Sequence, residues 1–184
     1  GKKKKIDKGK MVYTFAMGSK KLYDFLDNNP VCASYPVNYT NDPRVIGLND
    51  RVLAINNALE VDLFSQVASE SSGTRQISGT GGQLDFILGA FFSSGGKGLI
   101  CISSTYRDKD GNERSRIVPT LSPGTIVTCP RSITHYIITE YGIAQIMVKA
   151  GLGIAGLVIL VLSTVTTTFL DAYSAGVSAE SLSK

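Results

Sequence analysis

The sequence predicts an α/β body with a mixed sheet, followed by a hydrophobic C-terminal helix. Three observations point there. Short β-prone stretches alternate with two short helical ones. A glycine-rich turn leads directly into the better of the two helices. From Ala150 to Leu170 no charged residue occurs. The chain has 184 residues, of which 43% are hydrophobic. That is enough to bury a core and too apolar for an intrinsically disordered chain. Its 19 glycines follow no three-residue period, which excludes a collagen-like repeat, and no internal repeat is visible.

In chain order, the apolar stretch 11–17 reads as a strand and 19–26 as a helix with Ser19 at its N-cap. Asp27, Asn28, Asn29 and Pro30 form a turn that ends this helix. A loop rich in Pro, Asn and Tyr runs to Pro43. The segment 52–61 and the β-prone piece 66–69 are expected to pair as strands. Eight glycines fall between Ser71 and Gly98, and within this stretch 83–92 has helical spacing, with Leu84, Ile87, Leu88 and Phe91 on one face. A buried strand is expected at 98–103 and a hairpin at 107–116, turning at Asp110 and Gly111. Further strands are expected at 125–128 and 135–139, and the body ends near Ile143.

The net charge of +4 belongs to one terminus. The first ten residues hold six lysines and Asp7, which leaves the rest of the chain near neutral. No aromatic or arginine side chains interleave with these lysines, so the leader reads as a solvated run and no nucleic-acid partner is expected. No signal peptide follows it. Cys32, Cys101 and Cys129 are odd in number and widely spaced, which argues for reduced thiols, a cytoplasmic setting and no metal site. The charge-free run has the length of a bilayer span as a helix, at about 1.5 Å per residue. Its hydroxyl residues, Ser163, Thr164 and Thr166 to Thr168, can bond to their own backbone in lipid, so the segment is membrane-competent. The chain opens on Gly1, not Met, as a segment from within a longer protein would.

Several residues have the chemistry of a site. In Gly79-Thr80-Gly81-Gly82-Gln83-Leu84-Asp85-Phe86, small residues precede a helix N-terminus, where free N–H groups and the helix dipole favour a negative oxygen. The same glycines serve tight packing equally well, and neither the P-loop nor the dinucleotide fingerprint is present. Glu140 closes a strand, where carboxylates of α/β proteins face a cleft or simply the surface. Asn56 and Asn57 interrupt an apolar strand, and their amides need partners from the fold or from a ligand. Glu60 and Asp62 continue at period two from Ala58 and read as the wet face of that strand. His135, alone among polar and apolar neighbours, reads as structural.

The blocks NDPRVIGLNDRVLAINNALEVDLFSQVASE, SGTGGQLDF, SGGKGLICISST, SRIVPTLSPGTIVT and HYIITEYGIA resemble, in order and spacing, the C-terminal part of acetyl-CoA hydrolases and transferases. The likeness is to the 4-hydroxybutyrate and butyrate:acetate CoA-transferase type, over about residues 1–145. It implies a CoA-transferase-like α/β domain, the C-terminal half of the enzyme. Substrates would be an acyl-CoA thioester and a short-chain carboxylate, with no covalently bound cofactor and a homo-oligomeric full-length protein. Gly81 and Gly82 match the glycine turn that holds the thioester oxyanion, with Gln83 beside them in the CoA contact. Asn56 matches an active-site amide and Glu140 a second active-site carboxylate. The nucleophilic glutamate of such enzymes lies in an upstream T/S-E-M motif in a missing N-terminal half, so these residues alone are expected to be inactive. Ser65 stands where relatives usually have glycine.

Beyond Ala144 the likeness gives way. GLVILVLSTVTTTFLDAYSAGVS resembles a transmembrane piece of nucleobase-cation symporters, and a junction is expected near 145–150. The chain thus divides into a basic leader (1–10), the CoA-transferase or hydrolase domain (11–145) and a hydrophobic helical tail (146–184). The functional expectation is a CoA-transferase fragment supplying CoA-thioester and oxyanion contacts. The alternative is a membrane-anchored, non-catalytic ligand-binding or structural module.

Overall fold

The computed structural model describes residues 4–145. The hydrophobic tail, its symporter likeness and its membrane-competent run lie outside the described residues. Among the described residues, no helix is long and apolar enough to cross a membrane.

The chain begins with strand β1 (Met11–Tyr13) and helix α1 (Lys20–Leu26), followed by strand β2 (Cys32–Ser34), which pairs parallel to β1. Ser19 occupies the N-cap of α1 in an extended conformation, but its side chain makes no capping hydrogen bond. Two short helices then fold inside the loop, α2 (Val37–Thr40) and α3 (Pro43–Gly47). Asp42 caps α3: its carboxylate accepts from the Arg44 N–H at 2.8 Å, and Pro43 takes the first turn, where its missing N–H costs nothing.

The expected strand 52–61 is broken at Ala58 and Leu59 into β3 (Leu53–Asn57) and β4 (Glu60–Asp62), which belong to different sheets. The break resets the faces, so Asp62 is fully buried, not wet. Its carboxylate accepts from the backbone N–H groups of Phe64 and Gln66 and from the Gln66 side-chain amide at 2.6 Å. These bonds tie the corner into β5 (Val67–Ala68), which pairs antiparallel to β4 as expected. At that corner Ser65 adopts φ +67, the left-handed conformation that glycine takes most easily. The small hairpin β6 (Ser71–Ser72) and β7 (Arg75–Gln76) leads to the glycine turn and to helix α4 (Gln83–Phe92).

Strand β8 (Lys97–Cys101) follows α4, then the hairpin β9 (Thr105–Arg107) and β10 (Glu113–Ser115). The loop between them is longer than the two residues expected. Asp108 accepts from the N–H groups of Asp110 and Asn112, and Gly111 turns at φ +83. Strand β11 (Ile117–Val118) runs parallel to β4. Residues 125–128 form no strand; their ladder is reduced to a bridge between Val67 and Cys129. The described body closes with β12 (Tyr136–Thr139) and β13 (Gly142–Gln145).

The principal sheet has the order β13-β12-β8-β3, parallel except for the antiparallel β13, and is therefore mixed as predicted. Helix α4 crosses from β3 to β8 and packs on this sheet, where Ala54, Ile87, Ala90, Ile100 and Ile137 are buried together with Val61, Val67 and Cys129. The buried positions of α4 are Gln83, Ile87, Gly89 and Ala90, so the helix is rotated from the expected Leu84, Ile87, Leu88 and Phe91 face. The cause is Gly89, which lets α3 approach: a β-carbon there would lie 2.5 Å from Cγ2 of Ile46. The helix thus packs against the sheet and against α3 together. The described lysines of the leader are not all free in solvent. Lys5 pairs with Asp50 at 2.7 Å and its N–H donates to Asn49, while Lys4 donates to the Lys10 carbonyl.

Candidate active site at the carboxyl edge of the sheet

Strands β3, β8 and β12 run parallel, so their carboxyl ends share one edge, with Asn57, Cys101 and Ile138 in register there. Open α/β sheets place ligands at this edge. Asn56 sits one residue from the end of β3, and the chain returns to the sheet through the glycine turn and the N-terminus of α4. A half-open cleft of about 980 Å³ runs along β3, from Arg51, Val52 and Leu53 at its amino end to Asn56, and Gly81, Gly82 and Gln83 line it at the carboxyl end. Four residues expected at the site from sequence therefore meet in one place.

Each glycine has a local reason. Gly81 turns at φ +60 with open space where a side chain would be. Gly82 occupies the N-cap of α4, and a β-carbon there would collide with the side-chain amide of Asn41. Beyond the turn lie the first N–H groups of a ten-residue helix, which have no intrahelical acceptors. Asp85 lies in the first turn of α4 and lines the same cleft, so the positive field of the helix end acts on this carboxylate as well as on any ligand.

Two amides in the cleft are unsatisfied. The Nδ2 of Asn56 and the Nε2 of Gln83 are buried and have no hydrogen-bond partner. Buried donors without acceptors are costly and rare. Gln83 is 9% exposed, and its amide approaches the Cys129 thiol without reaching full hydrogen-bond geometry, so of the two amides Asn56 is the one wholly without a partner. Burial pushes that thiol up to about 11, with the Gln83 amide opposing part of the rise. Cys129 is therefore a core residue and not a nucleophile at neutral pH.

Glu140 does not line the cleft. It follows β12 at the same edge of the sheet, exposed, and is clamped by Ser104, whose hydroxyl donates to Oε1 and whose N–H donates to Oε2 at 2.8 Å. The Ser104 hydroxyl first, and its N–H second, hold the carboxyl below its ordinary value. His135 accepts the Gly98 N–H on Nδ1 at 3.1 Å and stacks near Phe91, a structural placement at the start of β8. Asn41 and Asp85 are among the cleft residues to which the sequence assigns no role, as are Asp50 and Arg51. Asn41 lies in a polar loop with no periodicity, and Asp85 looks like ordinary first-turn helix chemistry. Among the described residues, no group of three His, Cys, Asp or Glu side chains is placed to hold a metal ion.

Comparison with known proteins identifies the family of the domain. The family model for the acetyl-CoA hydrolase/transferase C-terminal domain matches residues 18–159, running into the hydrophobic stretch of the tail. The butyryl-CoA:acetate CoA-transferase of Anaerostipes caccae is 55% identical over 145 residues, which are 79% of this chain and 32% of that protein. The 4-hydroxybutyrate coenzyme A transferase of Clostridium kluyveri is 51% identical over 148 residues, 80% of this chain and 34% of the relative. The crystal structure of RipA from Yersinia pestis superposes with a TM-score of 0.71 at 42% identity, covering 79% of this chain and 32% of that one. The chain therefore spans about a third of the length of the curated relatives it matches. These likenesses establish the mixed α/β CoA-transferase fold and give no support to a transporter relationship for the tail. The chain belongs to the acetyl-CoA hydrolase/transferase family and carries its C-terminal domain.

Proposed function

We propose that this chain supplies the oxyanion-stabilising part of a CoA-thioester site in an acyl-CoA:carboxylate CoA-transferase. The observation that carries this reading is the buried, unpartnered amide of Asn56 in one cleft with Gln83 and the N-terminus of α4. When a carboxylate oxygen adds to a thioester carbonyl, the π electrons move onto the carbonyl oxygen. Fixed N–H donors lower the energy of that anion more than that of the neutral carbonyl. The C–S electron pair then leaves with CoA as a thiolate, leaving an acyl anhydride on the attacking glutamate. The amides of Asn56 and Gln83 and the backbone N–H groups around Gly82 are the donors here. Glu140, fixed by Ser104 at the same edge of the sheet, serves as a second carboxylate that orients the incoming acid or CoA.

The attacking glutamate of this reading is not one of these 184 residues, so the chain by itself binds the thioester without transferring CoA. Substrates are a short-chain acyl-CoA and a carboxylate such as acetate, and the assembled enzyme is a homo-oligomer. Titration of the chain with butyryl-CoA should raise its thermal midpoint, since a ligand of the native state stabilises by mass action. The Asn56→Ala and Gln83→Ala variants should weaken that response. In a chain completed by a relative's upstream segment, each substitution should cost about 2 to 4 kcal/mol in kcat/KM. Butyryl-CoA exchange with acetate catalysed by the unmodified 184-residue chain would refute the division of labour. Full activity of the completed Asn56→Ala enzyme would refute the role of the amide.

A further inference from the structure

Glu70 is 4% exposed, and no described Lys or Arg forms an ion pair with it. Both its carboxylate oxygens are in use. Oε1 accepts from the Thr128 hydroxyl at 3.2 Å, while Oε2 accepts from the Thr80 hydroxyl at 3.1 Å and from the Gln76 side-chain amide at 3.3 Å. Its backbone carbonyl accepts two more bonds, from the N–H groups of Ile77 and Ser78 at 2.8 and 3.2 Å. Residue 70 thus gathers the segment 76–80 from one end to the other, and the last link is made to Thr80, next to Gly81. Gly81 itself has nothing comparable: the space beside it is open and it is exposed, while its half-buried neighbour Gly82 rests against Asn41. A turn of flexible residues on the surface needs an anchor if its N–H groups are to keep one direction, and a buried carboxylate with several donors is a rigid one.

We infer that Glu70 is a positioning residue of the site: through Thr80 it fixes the Gly81–Gly82 turn so that the N–H groups at the start of α4 face the cleft. The inference rests on the oxyanion role of that turn for its catalytic meaning, but the anchoring itself can be read without a substrate. Of the three side chains bonded to the carboxylate, Thr80 is the one that adjoins the turn. Thr128, on the far side, ties the same carboxylate to the core next to Cys129, and its Oγ1 also accepts the Ser69 N–H at 3.0 Å. Any strain in the turn is therefore passed to a fixed point in the core.

The Thr80→Val substitution keeps the shape of the side chain and removes the one bond between the carboxylate and the turn, leaving Thr128 and Gln76 in place. Backbone order parameters from ¹⁵N relaxation on the 184-residue chain should fall at Gly81 and Gly82 from about 0.85 to below about 0.6. Exchange of the Phe86 N–H, which bonds to the Gly82 carbonyl, should speed up about tenfold. Thr80→Ser should restore both, and Glu70→Gln, which keeps an oxygen for Thr80, should fall between. Butyryl-CoA affinity should drop about tenfold in Thr80→Val and recover in Thr80→Ser. Unchanged order at Gly81 and Gly82 in Thr80→Val, or loosening spread evenly over the chain, overturns the inference. If the turn loosens but the unmodified chain shows no affinity for butyryl-CoA, the anchor stands and the thioester reading is the one that fails.

Discussion

Replacing Ser65 by glycine should stabilise this protein. Ser65 is held at φ +67 in the corner between β4 and β5, with its N–H donating to the Asp62 carbonyl at 3.0 Å. For an L-residue the left-handed region costs about 1 to 2 kcal/mol, because the β-carbon crowds the following carbonyl. Glycine has no such cost, but it gives the unfolded chain more freedom, worth about 0.5 to 1 kcal/mol against folding. The difference favours glycine by about 0.5 to 1 kcal/mol. For a chain of this size that raises the midpoint of thermal unfolding by about 1 to 4 °C. Urea melts give the cleaner measurement: the midpoint should rise with an unchanged slope, since the surface exposed on unfolding is the same. Ser65→Ala is the control, because it keeps the β-carbon and hence the backbone cost, and should gain nothing. A Ser65→Gly protein no more stable than its parent, or an alanine variant equally stabilised, would show that the side chain and not the backbone conformation sets the energy at this corner.

Three further outcomes are expected. Gly89→Ala should destabilise by about 1 to 3 kcal/mol in a denaturant melt, because overpacking against Ile46 outweighs the helix-propensity gain of about 1 kcal/mol. In ¹³C-detected titration the Glu140 carboxyl should titrate below the usual glutamate value near 4.5, and Ser104→Ala should move it back up. Since the folded form holds the lower value, the Ser104 clamp contributes above that ordinary value and is lost as pH falls through the depressed one. Thiol labelling at pH 8 should modify Cys32 and Cys101, both half-buried, well before Cys129, whose fully buried thiol sits at about 11. Early loss of Cys129 would mean that the core opens readily near Gln83.

The parts of the fold legible in the sequence were those with local signals. Helix α4 was bounded correctly because glycines precede it and helical spacing runs through it, and β4 with β5 followed from two β-prone stretches joined by a short corner. The rotation of α4 was hidden because it depends on Gly89 meeting Ile46, 43 positions away in sequence, which no periodicity encodes. Helices α2 and α3 have only four and five residues. Helices so short persist through tertiary contact and caps and not through propensity. The stretch 125–128 has strand-like residues but finds its bonds through hydroxyls: Thr125 accepts the Gly73 N–H, and Thr128 holds Glu70. At the site, Asn56 was legible as an amide in an apolar strand. Glu70 was not, because a glutamate between serines reads as surface until distant residues bury it. Asp62 is buried against the wet-face expectation because the period-two rule assumes an unbroken strand.

The parallel pairing of the principal sheet also bears on how the site comes into being during folding. Contacts along it close long loops: Ser104 reaches Glu140 across 36 residues, and Gly98 reaches His135 across 37. The cost of closing such loops falls due before the contacts repay it, so folding of topologies like this is slow. The hairpin of β9 and β10 and the pair β12 and β13 can form early, but neither carries the glycine turn or Asn56. The cleft therefore exists only once the non-local sheet is complete, and a partly folded chain would hold its hairpins with no site to offer.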